Sequence, residues 1–288
     1  MSIRKICSMY GISRQGYYKL KNKEERDKSI RRKIIMMLQM KRRHHPKMGI
    51  KKILYLMKEM IEQEGIKIGR DKVFKIAREE GYLIRKRRRG KKTTKSSRIK
   101  YKNHIKDLVV ERINQVWVSD ITYIRIGVRR FAYLFIVMDL YSRNIIGYRF
   151  GYSLETRWGV EALESAIKRA GRKVEGVIHH SDHGIQYMSK EYTELIEKSG
   201  MILSMGEIGN AYDNAYAERV IGILKSEYGL GESFLNYELA REAIRESISL
   251  YNNERPRLSL NYATPEEVYE NVRSAPPVRI KNNLALGG

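Results

Sequence analysis

Apolar residues recur at helical spacing over the first third of the chain and gather into strand-like runs over the rest. Ile3, Ile6 and Cys7 fit one helix face and Gly11 interrupts it. Ser13 is then placed to cap a second helix carrying Tyr17, Tyr18 and Leu20. Residues 1–22 thus read as a short helix pair with a helix-turn-helix pattern, whose second helix can enter a major groove. Residues 23–44 predict a basic helix with Ile30, Ile34, Ile35, Met37 and Leu38 on its apolar face, punctuated by Pro46 and Gly49. Another pair follows, Ile50–Glu62 and Asp71–Glu79, with Gly65 between them and Gly81 as a stop. The Met and Ile stripes on these helices read as core.

From residue 113 the pattern changes. NQVWVSDITYIRI clusters Trp117, Val118, Ile121, Tyr123 and Ile124 around Asp120. RRFAYLFIVMDLYS is a continuous apolar run, which suits a central strand covered on both faces. RNIIGYRFGY predicts a third strand, Leu154–Ala170 an amphipathic helix and VEGVIHHSD a fourth strand. Helix Lys190–Ser199, strand MILSM, a helix from about Ala211 to Tyr228 and a last one over about Tyr237–Asn252 complete the series. The order β-β-β-α-β-α-β-α predicts a mixed-sheet α/β domain. The tail from Ser274 reads as loosely ordered. The expected organisation is a helix-turn-helix-like segment with its basic helix (1–44), a second helical module (45–84), a basic linker (85–112), an α/β core (113–272) and a C-terminal tail (273–288).

Charge changes the picture. The chain of 288 residues holds 57 Lys and Arg against 33 Asp and Glu, a net charge of +24. Residues 1–110 carry 35 of those bases and 10 of the acids, so the whole excess lies there. Such a field attracts a polyanion, with counterion release from phosphates supplying affinity. A membrane surface competes as that polyanion, but the basic segment lacks a Trp/Phe/Leu-faced amphipathic helix. An RNA binder of ribosomal type, or charge kept for solubility, are the plainer alternatives. The run RKRRRGKKTTKSSRIK (85–100) has ten bases and no acid, cannot build a core and reads as a tether able to lie along a phosphate backbone. Arg85, Lys86, Arg87, Arg88, Arg89, Lys91 and Lys92 are its candidate DNA contacts, joined by Arg14, Arg70 and Lys72 on the helices. No apolar run reaches the ~18 residues that a membrane span needs. The opening MSIRKICSMYG lacks a signal peptide's apolar stretch, and Cys7 is alone, so no intramolecular disulfide or Cys-rich zinc module can form. A reducing, cytoplasmic compartment is expected.

Hard oxygen ligands converging from separate elements are what metal-assisted phosphoryl transfer needs. Asp120 lies inside an apolar strand, where an unpaired carboxylate is costly without a partner or cation. Asp182 follows VEGVIHHS and precedes Gly184, at a strand's carboxyl end. A third ligand would come from the later helix, where Asp213, Glu218 and Glu227 are candidates. Lys225 lies two helical turns beyond Glu218 and shares its face. Ala211, Ala215 and Ala217 allow close approach. Asp213-Asn214 suits an N-terminal cap, and Glu227 sits near the C-terminus, where its charge opposes the helix dipole.

VWVSDITYI, HHSDHGIQYMS, GNAYDNAYAERVIGILKSE and YNNERPRLSLNYATPEEVY resemble, in order, the blocks of OrfB-type transposases of bacterial insertion sequences. That family is similar to retroviral integrases and has a ribonuclease-H-like core. The family's 35-residue gap between second acid and Glu matches the 35 residues between Asp182 and Glu218. The likeness runs over about 113–272, and the upstream HHPKMGIKKI…REEGYLIRKRR segment resembles the family's helical DNA-binding region. It implies that Asp120, Asp182 and Glu218 hold two Mg²⁺ ions (Mn²⁺ substituting). Lys225 would touch DNA near the cleaved end, Asn214 would shape the site and His183 would support it. It further implies water attack at the element's end, then joining by the freed 3′-hydroxyl, on double-stranded DNA by a homodimer or larger assembly near the nucleoid. A fusion with an upstream-frame product is an alternative left open. Arg219, Val220 and Ile221 depart from the small or aromatic residues that usually follow the Glu.

Other signals are weaker. His179, His180 and His183 invite a zinc site but lack a second Cys, and His180 or His183 could instead lie near a scissile phosphate. Asp139 reads as a turn cap or a partner of Arg143. The 20 tyrosines are scattered and no Arg-His-Arg set accompanies them. A non-catalytic DNA-binding regulator and a nuclease with the same core are the competing functions.

Overall fold

The computed structural model describes Ile3, Cys7 and residues 9–84, 101–171, 174–206 and 214–280. It divides into two units, 1–87 and 88–288.

In the first unit, the Ser13 hydroxyl accepts from the Gly16 N–H at 2.9 Å and opens helix α1, Arg14–His44. The expected boundary near residue 22 is absent: α1 runs for 31 residues without a break. The segment Leu20–Asp27 contains no Gly or Pro, so nothing in it halts propagation. Lys41, Arg42, Arg43 and His44 fill the last turn, where cations complement the helix dipole. Two short helices, α2 (Ile50–Leu56) and α3 (Lys58–Gln63), replace the expected single helix and meet at Met57. Helix α4, Arg70–Glu79, ends before Gly81, whose φ of +74° reverses the chain. Ile34, Leu38, Met48, Ile53, Met57, Val73 and Ala77 form this unit's core. Arg42 staples the fold by donating to the Met48 and Tyr82 carbonyls at 2.6 and 2.7 Å.

The second unit is built on a sheet of β2 (Val116–Ile126), β3 (Arg130–Asp139), β4 (Ile145–Gly151), β5 (Ile178–Ser181) and β6 (Ile202–Met205). The strand order is β4-β3-β2-β5-β6, with short β7 (Ser233–Phe234) also pairing with β2. The first three strands are antiparallel, whereas β5 and β6 run parallel to β2. Between them lie α5 (Thr156–Arg169), α6 (Lys190–Lys198) and α7 (Ala215–Glu227), followed by α8 (Tyr237–Asn253) and α9 (Pro265–Tyr269). This is the mixed-sheet α/β arrangement expected from the element order.

Strand periodicity divides the core into two layers. Ala132, Leu134, Ile136 and Met138 face one cluster with Val220, Leu224 and Ile244 of α7 and α8. Phe135 and Val137 face the other with Leu163, Tyr192 and Ile196 of α5 and α6. The β3 run is therefore apolar at consecutive positions because both faces are covered. Gly147 permits the closest helix approach: a Cβ there would lie 2.3 Å from the Ala162 carbonyl of α5.

Both ends of this unit differ from expectation. Val109–Val110 (β1) pairs antiparallel with Val278–Arg279 (β8). Ile105, Val110, Val278 and Ile280 are buried in the first core cluster. Residues 101–112 thus belong to the core and not to the basic linker, and 278–280 are not a loose tail. Strands β1 and β8 form a separate two-stranded sheet whose apolar residues join that cluster.

Candidate active site

Two strands set the first two carboxylates. The β2–β5 ladder pairs Val116 with Ile178, Trp117 with His179 and Val118 with His180, and then ends. Asp120, still within β2, and Asp182, just past β5, each lie two residues beyond the last pair, at the carboxyl end of this parallel ladder. That edge is where open α/β sheets place their ligands. Asp120 is half-buried and its Oδ1 accepts from the Ile121 N–H at 2.8 Å. Asp182 Oδ1 accepts from the Gly184 N–H at 3.0 Å, and a Cβ on Gly184 would come within 3.0 Å of that same oxygen. Glycine here lets the amide reach the carboxylate.

Helix α7 brings the third. Glu218 lies in its first turn, and its N–H donates to the Asn214 carbonyl at 3.1 Å. Asn214 occupies the cap position but makes no side-chain cap bond. Instead its Nδ2 donates to the Ser119 carbonyl at 3.1 Å, tying the start of α7 to the residue before Asp120.

Electrostatics join these residues. Burial pushes the Asp182 carboxyl above the ordinary carboxylate range, and the charge of Glu218 adds to that push, against the Gly184 amide and His183. Burial pulls the Lys225 ammonium below the usual lysine range while Asp120 opposes the shift. Lys225 Nζ also stands 4.1 Å from the Tyr123 ring centroid. Buried Tyr187 is pushed well up by desolvation first, then by Tyr192, Asp120 and Asp182. Sequence reasoning overlooked this tyrosine, although it stands five residues after Asp182 in HHSDHGIQY. Among the described residues, no three His, Cys, Asp or Glu side chains form a group able to hold a metal ion. The three acids therefore share one neighbourhood without being closed around a common point.

The remaining candidates are placed elsewhere. His179 Nε2 lies 2.9 Å from Ser119 Oγ and 3.0 Å from Tyr192 Oη, and His180 Nδ1 lies 2.9 Å from Ser204 Oγ. Both are buried histidines with hydroxyl partners, and His183, half-buried, adjoins Asp182. Asp139 caps its turn, accepting from Ser142 N–H and Oγ at 2.8 and 2.6 Å and from Asn114 N–H at 2.8 Å. Glu227 is held bidentately by Arg255 at 2.7 and 2.8 Å. In the first unit Arg14 is exposed beside Gln15, Tyr18 and Lys19. Arg70 pairs with Asp71 and Lys72 with Asp27, each at 2.9 Å. Arg85, Lys86, Arg87, Arg88, Arg89, Lys91 and Lys92, and Ala211 to Asp213, lie outside the described residues.

Comparison with known proteins fits this geometry. A family model described as Integrase core domain matches residues 110–211, and a second of the same description matches 199–265. The chain is 32% identical over 263 residues to the insertion element IS600 uncharacterized 31 kDa protein of Shigella sonnei, covering 88% of this chain and 93% of that one. It is 32% identical over 199 residues to the transposase InsF for insertion sequence IS3A of Escherichia coli, covering 66% and 68%. With the transposase for insertion sequence element IS629 of Shigella sonnei it shares 35% over 162 residues, 56% of this chain and 54% of that relative, or about half its length. The HTLV-2 integrase catalytic core domain, solved in complex with magnesium, aligns at 16% identity over 55% of this chain and 97% of that one, with a TM-score of 0.44. With most of its length aligned to an insertion-element protein and both integrase-core models matched, the chain belongs to the integrase-core transposases of insertion sequences.

Proposed function

We propose that this chain binds the ends of an insertion sequence and catalyses Mg²⁺-dependent strand cleavage and strand transfer through Asp120, Asp182 and Glu218. The observation that supports this reading is the β2–β5 register, whose last pair is Val118–His180, with Asp120 and Asp182 each two residues beyond it along the chain. Glu218 on α7 is near enough for its charge to act on Asp182, which supports its inclusion.

The donor set suits Mg²⁺ (with Mn²⁺ as a substitute): three hard carboxylates, one of them raised partly by the charge of another, a crowding that a divalent cation relieves. Drawing Glu218 onto the two aspartates is part of the proposal. When bound, two such ions would supply Lewis-acid polarisation of the phosphodiester. The protein's own groups do the rest. Gly184 N–H and Ile121 N–H fix the two aspartates, and Asn214 holds α7 against β2. Lys225 offers an ammonium to a phosphate beside the scissile bond, and His183 borders it.

End recognition falls to the first unit and the basic run, with Arg14, Arg70, Lys72 and Arg85 to Lys92 meeting phosphates. Arg70 and Lys72 hold exposed ion pairs of the kind worth about 0–1 kcal/mol, which DNA can displace. Holding two DNA ends calls for a homodimer or larger assembly, with an upstream-frame product as a further partner. Among the described residues no helix is long and apolar enough to cross a membrane, and the proposed reaction places the protein with DNA in the cytoplasm. The test is nicking of a labelled terminal duplex by Asp120→Asn, which should lose nicking and keep DNA binding; retained nicking refutes the assignment.

A further inference from the structure

The β2–β3 hairpin carries an aromatic surface beyond the acids that neither core cluster absorbs. Tyr123 on β2 and Phe131 on β3 are 59% and 43% exposed, although phenylalanine is among the residue types most often buried. Their rings meet edge to face, 5.5 Å between centroids, so Phe131 sets the plane of the tyrosine. The strand register pairs Phe131 with Arg125, which puts an exposed guanidinium two residues from Tyr123 on the same strand face. Lys225 completes the arrangement. Its Nζ lies 4.1 Å from the Tyr123 ring centroid, and its charge interacts with that of Asp120. One lysine therefore connects the acid site to an exposed ring three residues further along the same strand.

An exposed aromatic flanked by cations is the chemistry that takes a single-stranded nucleic acid: every base has a π-face to stack, and the cations meet the phosphates on either side. We propose that Tyr123 is a stacking site for an unpaired nucleobase of a DNA strand end, with Lys225 and Arg125 on the flanking phosphates. This rests on the proposed transposase function and adds to it that the bound strand end is melted and not fully paired. Base–aromatic stacking accounts for the choice of occupant. A protein partner docking on the same rings would be indifferent to whether DNA is paired.

The experiment compares binding of the full chain to two probes, a forked duplex with 2-aminopurine in its unpaired arm and the fully paired duplex of the same sequence. Wild type should bind the fork more tightly and quench the 2-aminopurine. Tyr123→Ala should weaken fork binding about 5- to 150-fold, the span that loss of one stacked base implies. Its affinity for the paired duplex should be unchanged, which also reports that the variant is folded. Tyr123→Phe should keep both the preference and the quench. Equal fork binding by Tyr123→Ala and wild type, or an equal loss on both probes, overturns the proposal. Fork preference that depends on Tyr123, in a protein that fails to cleave with Mg²⁺, would instead reject the transposase reading and leave the stacking site standing.

Discussion

Glu227 is a test of whether carboxylates on α7 can be sorted into chemistry and scaffold. Its partner Arg255 is only 3% exposed at the side chain, and the two form a bidentate pair at 2.7 and 2.8 Å. Two more guanidiniums lie nearby. Burial and then the charge of Arg257 pull Arg143 down to about 10, and burial first, with opposing help from Tyr251 and then repulsion from Arg255, lowers Arg257. Glu227 is thus the carboxylate that neutralises one member of a buried cationic group. Glu227→Gln keeps the shape and removes the charge. Breaking a buried pair by removing one partner costs about 3–5 kcal/mol, because the other charge remains desolvated. At about 2–4 °C per kcal/mol for a unit of this size, Tm should fall by roughly 6–20 °C. Urea unfolding followed by tryptophan fluorescence would read the change directly. The double variant Glu227→Gln/Arg255→Met should recover much of the loss, since the orphaned cation is then gone. A single-variant cost below about 1 kcal/mol would refute the reasoning, for that is the scale of an exposed pair.

Two further outcomes are expected. Burial drives His179 down to about 3 in the folded protein, against 6.5 ordinarily. Because the unfolded chain then binds the extra proton, the neutral histidine's full stability is present above about pH 6.5 and is lost as pH falls toward 3, at up to about 1.4 kcal/mol per unit. Urea midpoints from pH 7.5 to 4.5 should therefore fall more steeply in wild type than in His179→Gln, and parallel slopes would contradict this. Asn214→Ala removes the bond to the Ser119 carbonyl. It should cost about 1 kcal/mol of stability and slow strand transfer by up to about 100-fold at unchanged DNA affinity; a rate equal to wild type would show that α7 needs no such tie.

Much of the second unit was legible because its strands alternate cleanly or run apolar throughout, and several of its helices start or stop beside Gly, Ser or Asn. Asp120 and Asp182 could be picked out since each interrupts or ends an apolar strand. Glu218 and Lys225 were chosen through their shared helix face and the family's spacing. What escaped the reading depended on partners distant in sequence. The β1–β8 pairing joins residues about 170 apart and involves two residues on each side, too few to stand out beside a basic run and a proline-containing tail. Tyr187 matters by its burial against Tyr192 and its nearness to Asp120 and Asp182, which no local pattern signals. The α9 helix did have a signal: Thr264 and Glu267 form a capping box with Pro265 at its start. In the first unit no boundary falls near residue 22, because the stretch Leu20–Asp27 is free of Gly and Pro and the helix continues to His44.

The central claim rests on Glu218 as the third acid, and one measurement addresses it: Mg²⁺-dependent joining of a labelled duplex carrying the element's own end, wild type against Glu218→Gln. The account predicts joined product from wild type and none from the variant, with DNA binding equal in both. Equal joining by the two proteins would contradict it.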